Sequence, residues 1–383
     1  MERLKLTPEK MMKIVVWVVL ACTYIVPSGL IETKYSIAKI LFVIPMICLY
    51  LLTLKKVHIK EIVFMIILIG LILVTQNPKY IIFLPIIFLD KIVEYKEYIK
   101  KYLKESNILY ICLGATLIYS IIFFGTKGRY AFTAIGEINQ SGLAIFCLGV
   151  MLMVKNKKVG IATLAFGLLT ISRSYYLALA VYIISKIKFV KKYFIKDILI
   201  KLCNYINLTI ISSVALVGLG IFYYYQFQAG NIFWGDEVSN RLYNLLDYSN
   251  FYRFFTLVSL VIMFLKYPHL LITGLTDYQY GWVRPRIFWN MGVPWKNIEP
   301  HNLFFSHLRM YGLFSIVETI YTHFILEKLI NKNNFLLYIA IFLYSIILGA
   351  GLYSYWLYLT FFMLVLNEDD NQEDVKMLEE RYE

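Results

Sequence analysis

The chain has 383 residues, of which 60% are hydrophobic and 16% are charged. Soluble globular domains are close to half apolar and a quarter charged, so this composition excludes an ordinary cytosolic domain. The net charge of +13 comes from short basic clusters between apolar runs, which indicates membrane topology rather than a nucleic-acid-binding face. The five cysteines lie in or beside apolar stretches without a CxxC pair, so they indicate neither a disulfide framework nor a zinc site.

Apolar runs predict about twelve membrane-spanning helices, each of which needs about 20 residues for a full crossing. In chain order the predicted spans are Ile14–Leu30, Ser36–Leu54, Ile62–Thr75, Tyr80–Leu89, Ile108–Phe124, Ser141–Val154, Val159–Ile171, Tyr175–Ile187, Ile206–Tyr225, Met310–Ile325, Phe335–Leu348 and Leu352–Leu366. Several runs are short, and runs of about 10–14 residues also suit buried or re-entrant segments. The first run is predicted to be a retained helix rather than a cleaved signal, because many further spans follow it.

Lysine clusters follow the second, fourth, sixth and eighth predicted spans, which is every second loop. Cytoplasmic loops carry an excess of Lys and Arg, so these loops and both termini are predicted to be cytoplasmic. The predicted organisation is a single transmembrane domain over residues 1–366 with a large extracytoplasmic loop at 226–304. An acidic cytoplasmic tail follows at 367–383.

One apolar run inside the large loop, Phe254–Leu265, leaves the sidedness open. It is short and is bracketed by Arg253 and Lys266, which favours an amphipathic helix lying in or near the outer interface. The alternative is a further span, which would place the region around His301 in the cytoplasm.

Arginine is distributed differently from lysine. Seven of the nine arginines fall on the extracytoplasmic side of the twelve-span topology: Arg129, Arg173, Arg241, Arg253, Arg284, Arg286 and Arg309. The planar guanidinium binds phosphate or carboxylate bidentately, so the set indicates an anionic ligand at the outer leaflet. The alternative is a set of loop salt bridges with the acidic residues predicted on the same side: Glu137, Asp236, Glu237, Asp247, Asp277 and Glu299. Arg173 lies in a polar break between two apolar runs, where a charge is costly and indicates a functional site.

Three segments carry a recognisable pattern: Thr170-Ile171-Ser172-Arg173-Ser174; His301-Asn302-Leu303-Phe304 followed by Tyr311-Gly312-Leu313; and Gly136–Gly142 preceded by Arg129. They resemble the superfamily of O-antigen ligases and O-antigen or capsular polysaccharide polymerases, which are bacterial membrane proteins. The first is similar to that family's T-x-S-R-S/G hairpin, and the second to its H-N pair at the start of a helix that continues with G-L. The third is similar to its loop ending in N-x-x-G.

A fourth, looser element lies in the large loop. The family has an Arg, a helix, and then a proline followed closely by a glycine; here Arg253, Phe254–Leu265, Pro268 and Gly274 stand in that order. The gap from Pro268 to Gly274 is longer than the family pattern, and Ser315 stands where a second glycine often follows.

The resemblance implies an all-α, polytopic GT-C-type glycosyltransferase that needs no metal or other cofactor and inverts at the anomeric carbon. Its donor would be an undecaprenyl-diphosphate-linked oligosaccharide, and its place the bacterial inner or plasma membrane with the active site outside. The implied function is a capsular or O-antigen repeat-unit polymerase. The alternatives are an O-antigen ligase and a lipid-linked oligosaccharide flippase or other transporter, although no internal repeat typical of transporters is visible. Membrane lipids are also expected to contact the protein, and the identity of any protein partners in polysaccharide export is left open.

The predicted chemistry assigns a role to each candidate residue. Arg forks stabilise a diphosphate leaving group without a metal, and the residues predicted to do so are Arg173, Arg241, Arg253 and Arg129. His301 is the predicted general base for the acceptor hydroxyl, with Glu137 as the alternative. Six aromatic residues of the large loop are predicted either to stack on sugars or to anchor the protein at the membrane interface: Trp234, Tyr278, Tyr280, Trp282, Trp289 and Trp295.

Overall fold

The computed structural model describes residues 7–25, 59–75, 89–90, 92–122, 138–187, 189–190, 195–234, 245–295, 302–348 and 354–368. Within these residues the protein is all-helical, and extended pairing is limited to an isolated bridge between Phe233 and Asp247. The helices are α1 (Pro8–Tyr24), α2 (Ile59–Thr75), α3 (Lys96–Glu105), α4 (Ile108–Ile122), α5 (Ile138–Lys155), α6 (Lys157–Phe166), α7 (Arg173–Ser185), α8 (Asp197–Leu202), α9 (Tyr205–Gln228), α10 (Tyr248–Lys266), α11 (His269–Thr273), α12 (Asp277–Asn290), α13 (Leu303–Tyr311), α14 (Phe314–Glu327), α15 (Phe335–Leu348) and α16 (Ser354–Leu366).

Among the described residues, two helices are long and apolar enough to cross a membrane, namely α9 and α10. A third crossing results if α3 and α4, which meet at a 63° bend, form one broken span. Shorter apolar helices lie within α2, α5, α15 and α16. Of the twelve predicted spans, Ser36–Leu54 lies outside the described residues, and so does Tyr80–Leu89 except for its last residue.

The tenth predicted span, Met310–Ile325, is wrong as a single helix. The chain instead forms α13 and α14, which are separated at Gly312, where φ is +56°. An L-residue rarely adopts that backbone conformation, so glycine ends α13 there. The seventh predicted span is likewise interrupted, because α6 passes into a tight 3₁₀ turn at Gly167–Thr170.

The interior of the bundle is built around α5 and α16. Leu143–Leu152 of α5 and Trp356–Leu366 of α16 are buried throughout. By contrast, α2 and α9 expose broad aliphatic faces: on α2 these residues are Ile59, Ile62, Val63, Ile66, Ile67, Ile69 and Leu73. Exposed apolar faces of this extent are typical of surfaces that contact lipid.

Opposite ends of the bundle carry different ion pairs. Three pairs join loops at what we call the lysine end: Lys96–Glu368, Lys328–Asp90 and Lys332–Asp197. At the other end, which we call the arginine end, Arg173 pairs with Asp247. The two ends of the bundle therefore differ in the cation that they use.

Helices α10 and α12 form a hairpin that leaves the arginine end and returns to it. Helix α10 runs antiparallel to α9, since the rings of Phe251 and Phe255 stack on Phe227 and Tyr224 at 4.8 and 5.6 Å. Helix α12 then runs back along α10, and the hydroxyl of Tyr224 donates a hydrogen bond to the carbonyl of Met291, just after α12. The chain thus enters and leaves this hairpin beside the last turns of α9.

This hairpin contains the apolar run Phe254–Leu265. The run is part of α10, which extends over 19 residues and qualifies by length and composition as a candidate span. It lies along α9 rather than across it. Helix α12 then brings the chain back beside the end of α9, close to where α10 begins.

Candidate functional site

Six residues are predicted to act at the site, and two of them, Arg173 and Arg253, lie among the described residues. The other four lie outside the described residues: His301, Glu137, Arg241 and Arg129. The roles of these four stay predictions.

Arg173 begins α7 directly after a strained turn. Ile171 adopts left-handed backbone angles (φ 46°, ψ 44°), which β-branched residues rarely take. Such a conformation costs on the order of 1–3 kcal/mol and persists only where the surroundings hold it. The flanking Thr170 and Ser172 are buried, so the surroundings hold the turn tightly and fix the direction in which α7 starts.

The guanidinium of Arg173 pairs with a buried carboxylate. Its Nη2 lies 3.2 Å from Oδ2 of Asp247, and Oδ1 of Asp247 accepts the backbone N–H of Asn250 at 2.7 Å as the N-cap of α10. Asp247 is 4% exposed, whereas the Arg173 side chain is 35% exposed. The salt-bridge alternative therefore holds for Arg173. A guanidinium has five N–H donors, so this pair leaves others for a ligand.

Arg253 follows Asp247 by six residues on α10, which is about 9 Å along the helix axis. Its side chain is partly buried. The neighbouring Phe254 stacks on Tyr223 of α9 at 5.2 Å, which holds this turn of α10 against α9. The two described arginines of the predicted set thus lie toward the same end of the bundle.

The segments that carry the family resemblance meet in space. An added Cβ at Gly142 would lie 3.6 Å from Oγ1 of Thr170 and 2.9 Å from the hydroxyl of Tyr344 on α15. The N-x-x-G segment therefore packs against the T-x-S-R segment. Arg173 in turn connects that segment to the start of α10 through Asp247.

A second contact joins the large loop to the helix pair α13–α14. Gly274, after α11, and Gly312, after α13, both have positive φ and pack backbone against backbone. The backbone N–H of Leu275 also donates to the carbonyl of Arg309 at 2.6 Å. The far end of the hairpin is thereby fixed to the break that ends α13.

Asn302 holds the start of α13. Its Oδ1 accepts the backbone N–H of Phe305 at 3.0 Å, and its Nδ2 donates to the carbonyl of Ile346 at 3.4 Å. Asn302 borders a cavity of about 10 Å³, enough for about one water molecule, together with hydroxyl groups of α9 and α15. This bonding fixes the residue that directly follows His301.

Two buried arginines were not singled out from the sequence. Arg284 on α12 is 1% exposed, and its guanidinium lies 4.8 Å from the ring centroids of both Tyr280 and Trp295. It also donates to Oγ1 of Thr256 at 3.3 Å. Arg309 on α13 lies 4.4 Å from the centroid of the same Tyr280 ring. The i, i+4 spacing of Tyr280 and Arg284 was the available signal, because it places both on one face of a helix.

A buried imidazole–carboxylate pair was also missed. Nδ1 of His307 lies 2.8 Å from Oε2 of Glu318, and both side chains are 3% exposed. The pair ties α13 to α14 across Gly312. The sequence carried no signal for this pair, because the two residues lie on different helices.

In the part of the chain that the structure describes, no cluster of three or more His, Cys, Asp or Glu side chains is placed to hold a metal ion. The described cysteines are free, and three of them are buried: Cys22, Cys112 and Cys147. The described contacts of the site are ionic, hydrogen-bonded and aromatic.

No protein-family model, curated protein or solved structure matches this chain. Function is therefore inferred from the geometry of the site.

Proposed function

We propose that the protein is a multi-pass membrane glycosyltransferase of the bacterial inner or plasma membrane. It would transfer a growing glycan from undecaprenyl diphosphate to an incoming lipid-linked repeat unit, as a capsular or O-antigen polymerase with twelve spans and a GT-C-type architecture. An O-antigen ligase, which uses a different acceptor, is the alternative.

The observation that carries the proposal is the meeting of segments that are far apart in sequence. Gly142 contacts Thr170, Arg173 contacts Asp247, and Gly274 contacts Gly312. Apart from Asp247, which caps the helix that carries Arg253, these residues belong to segments whose types and order resemble the polymerase and ligase superfamily. A chance resemblance at four places along a chain gives no reason for these segments to pack on one another.

The ion pairs support the proposed sidedness. Each pair at the lysine end joins two loops that follow even-numbered predicted spans, whereas Arg173 and Asp247 belong to loops that follow odd-numbered ones. If one predicted span between two paired loops were missing or added, an ion pair would join a cytoplasmic loop to an extracytoplasmic one. The pairing therefore favours a diphosphate site on the extracytoplasmic side, away from the lysines.

In the proposed mechanism, Arg173 and Arg253, together with Arg241 and Arg129, bind the diphosphate and stabilise its charge as it leaves. His301 takes the proton of the acceptor hydroxyl, with Glu137 as the alternative base. The hydrogen bonds of Asn302 would hold His301 at the start of α13.

The test is cell-free turnover of an undecaprenyl-diphosphate-linked oligosaccharide by the full chain in nanodiscs. A polymerase makes longer lipid-linked glycans, a ligase makes adducts with a separate acceptor, and a transporter makes neither. If the protein turns over no substrate under conditions where it is folded, the proposal is wrong.

Two variants separate ligand binding by Arg173 from its ion pair. Arg173→Lys keeps a cation near Asp247 but loses the fork, so most activity should be lost. Asp247→Asn keeps the N-cap of α10, because Asn caps as well as Asp, and it removes the competing carboxylate. If Arg173 binds the diphosphate, Asp247→Asn retains activity. Equal losses in both variants would show that the ion pair matters only for structure. Lys196→Ala, an exposed cation near the lysine end, is the control.

A further inference from the structure

Four aromatic residues of the large loop, three on α12 and one shortly after it, separate into two environments. Tyr280 and Trp295 face inward and surround Arg284, so neither presents an open ring face to a ligand on that side. Trp282 and Trp289, which both lie on α12, face outward and are 59% and 67% exposed. Among these four residues, the choice between sugar stacking and membrane anchoring therefore concerns the outward pair.

Trp282 and Trp289 form a stripe with an exposed arginine between them. Positions 282, 286 and 289 are spaced i, i+4 and i+7, which places them on one face of α12 over about 10 Å. Arg286 is exposed, and among the described residues no acidic side chain pairs with it. The opposite face of α12 is buried, since Ile287 and Phe288 are 3% and 0% exposed.

The depth of this stripe follows from its contacts with α9. Met291, two residues after Trp289, accepts hydrogen bonds from Tyr224 and Gln228 in the last two turns of α9. Helix α9 carries no charged residue over its 24 positions and is a candidate span. Trp289 is therefore level with the end of α9 that the proposed topology places outside, and Trp282 lies about 10 Å deeper along the hairpin.

Exposed aliphatic residues continue below the stripe. Leu265 at the end of α10 and Ile272 in α11 are 77% and 59% exposed at the far end of the hairpin. A surface that is aliphatic at depth and carries Trp and Arg toward the outer end has the gradient of a lipid-facing surface that crosses the membrane interface. A glycan-binding surface has no need of the exposed aliphatic end.

We propose that Trp282, Arg286 and Trp289 form a binding site for the phosphate of an anionic phospholipid in the outer leaflet. The two indoles lie among the acyl chains and glycerol groups, and the guanidinium binds the phosphate between them. The site is separate from the proposed catalytic residues and does not depend on glycosyl transfer.

The experiment measures quenching of tryptophan fluorescence by brominated lipids, with the full chain in nanodiscs. One preparation contains brominated phosphatidylglycerol in a phosphatidylcholine background, and the other contains brominated phosphatidylcholine at the same fraction. Phosphatidylcholine carries the same phosphate beside a choline cation that repels Arg286. The double variant Trp282→Phe/Trp289→Phe measures the signal from the remaining tryptophans.

We expect brominated phosphatidylglycerol to quench Trp282 and Trp289 more strongly than brominated phosphatidylcholine. Arg286→Gln should lose this excess, Arg286→Lys should keep most of it, and Lys196→Gln at the other end of the bundle should leave it unchanged. Three results would overturn the proposal. Absence of quenching by either lipid places the stripe outside the bilayer, where glycan stacking becomes the better explanation. Equal quenching by both lipids would show that the tryptophans contact only acyl chains. If the stronger quenching by phosphatidylglycerol persists in Arg286→Gln, another cation binds the phosphate.

Discussion

Replacing Gly274 or Gly312 by alanine should destabilise the protein strongly, because each glycine occupies space that no side chain can share. At Gly274 (φ +74°, ψ −173°) an added Cβ would lie 2.5 Å from the backbone carbonyl group of Met310. At Gly312 (φ +56°, ψ −138°) it would lie 2.5 Å from the carbonyl oxygen of Ile272. In both cases the obstacle is backbone, which cannot rotate away as a flexible side chain does.

Two costs add at each position. A non-glycine residue in these backbone regions is strained by about 1–3 kcal/mol. Forcing a methyl group into a closely packed contact costs about 1–3 kcal/mol more. The expected loss is therefore about 2–6 kcal/mol per substitution. Since 1 kcal/mol lowers the melting temperature by about 2–4 °C in domains of 150–250 residues, the shift should be on the order of 10 °C.

The measurement is thermal unfolding of the purified protein in detergent, followed by tryptophan fluorescence. Gly281→Ala is the matched control, because it lies in α12 and an added Cβ there meets nothing within 4 Å. It should be neutral or stabilising by up to about 1 kcal/mol. The Gly274→Ala/Gly312→Ala double variant should cost less than the sum of its parts, because the first substitution already separates the two backbones. Unfolding of either single variant at the same temperature as Gly281→Ala would refute the contact.

Single cysteines at Asn231 and Asn290, in a cysteine-free background, should both react with an impermeant thiol reagent on intact cells or spheroplasts. If only the cysteine at position 290 is protected, the hairpin does not return to the side of the membrane from which it entered. His301→Ala and His301→Gln should both lose about a hundred- to ten-thousandfold in elongation rate, the usual effect of removing a general base, while donor binding survives; substantial turnover by the Gln variant would leave His301 a positioning role only. Arg284→Met should lower thermal stability because a desolvated cation–π contact contributes about 2 kcal/mol, whereas Arg286→Met should not; equal melting temperatures for the two would contradict the aromatic enclosure of Arg284.

The helical fold was predictable where an apolar run is uninterrupted. Phe335–Leu348 was predicted as a span and forms a helix with the same bounds, and the run starting at Ile108 begins its helix there too. Hydropathy reports only that a segment is apolar. It therefore could not show that Gly312 divides one apolar run into two helices, because that depends on a positive φ held by a contact with Gly274.

The candidate site was predictable in its residue types but not in its contacts. Arg173 was correctly placed in a polar break, yet its partner is 74 residues away and was one of six acidic residues considered. The His307–Glu318 pair depends on the same break at Gly312, because a continuous helix would have separated the two residues by about 16 Å along its axis. Contacts between helices follow from how the helices pack, and the spacing of residues along one helix does not predict them.

The arginines show how far residue type and membrane side can assign a role. Arg284 and Arg286 are two positions apart and fall on the same side in every topology, so charge distribution treats them alike. Two residues along a helix correspond to a rotation of about 200°, which turns one guanidinium into an aromatic enclosure and the other outward between two indoles. An arginine held among Tyr280, Phe288 and Trp295 stabilises the hairpin, whereas an exposed arginine is available to a phosphate. The sequence predicts one anionic site for all seven arginines, but arginines on different helix faces have different surroundings and need separate assignments. Arg173 and Arg253 then stay with the proposed diphosphate site, Arg284 and Arg309 belong to the packing of the hairpin, and Arg286 belongs to the proposed lipid site.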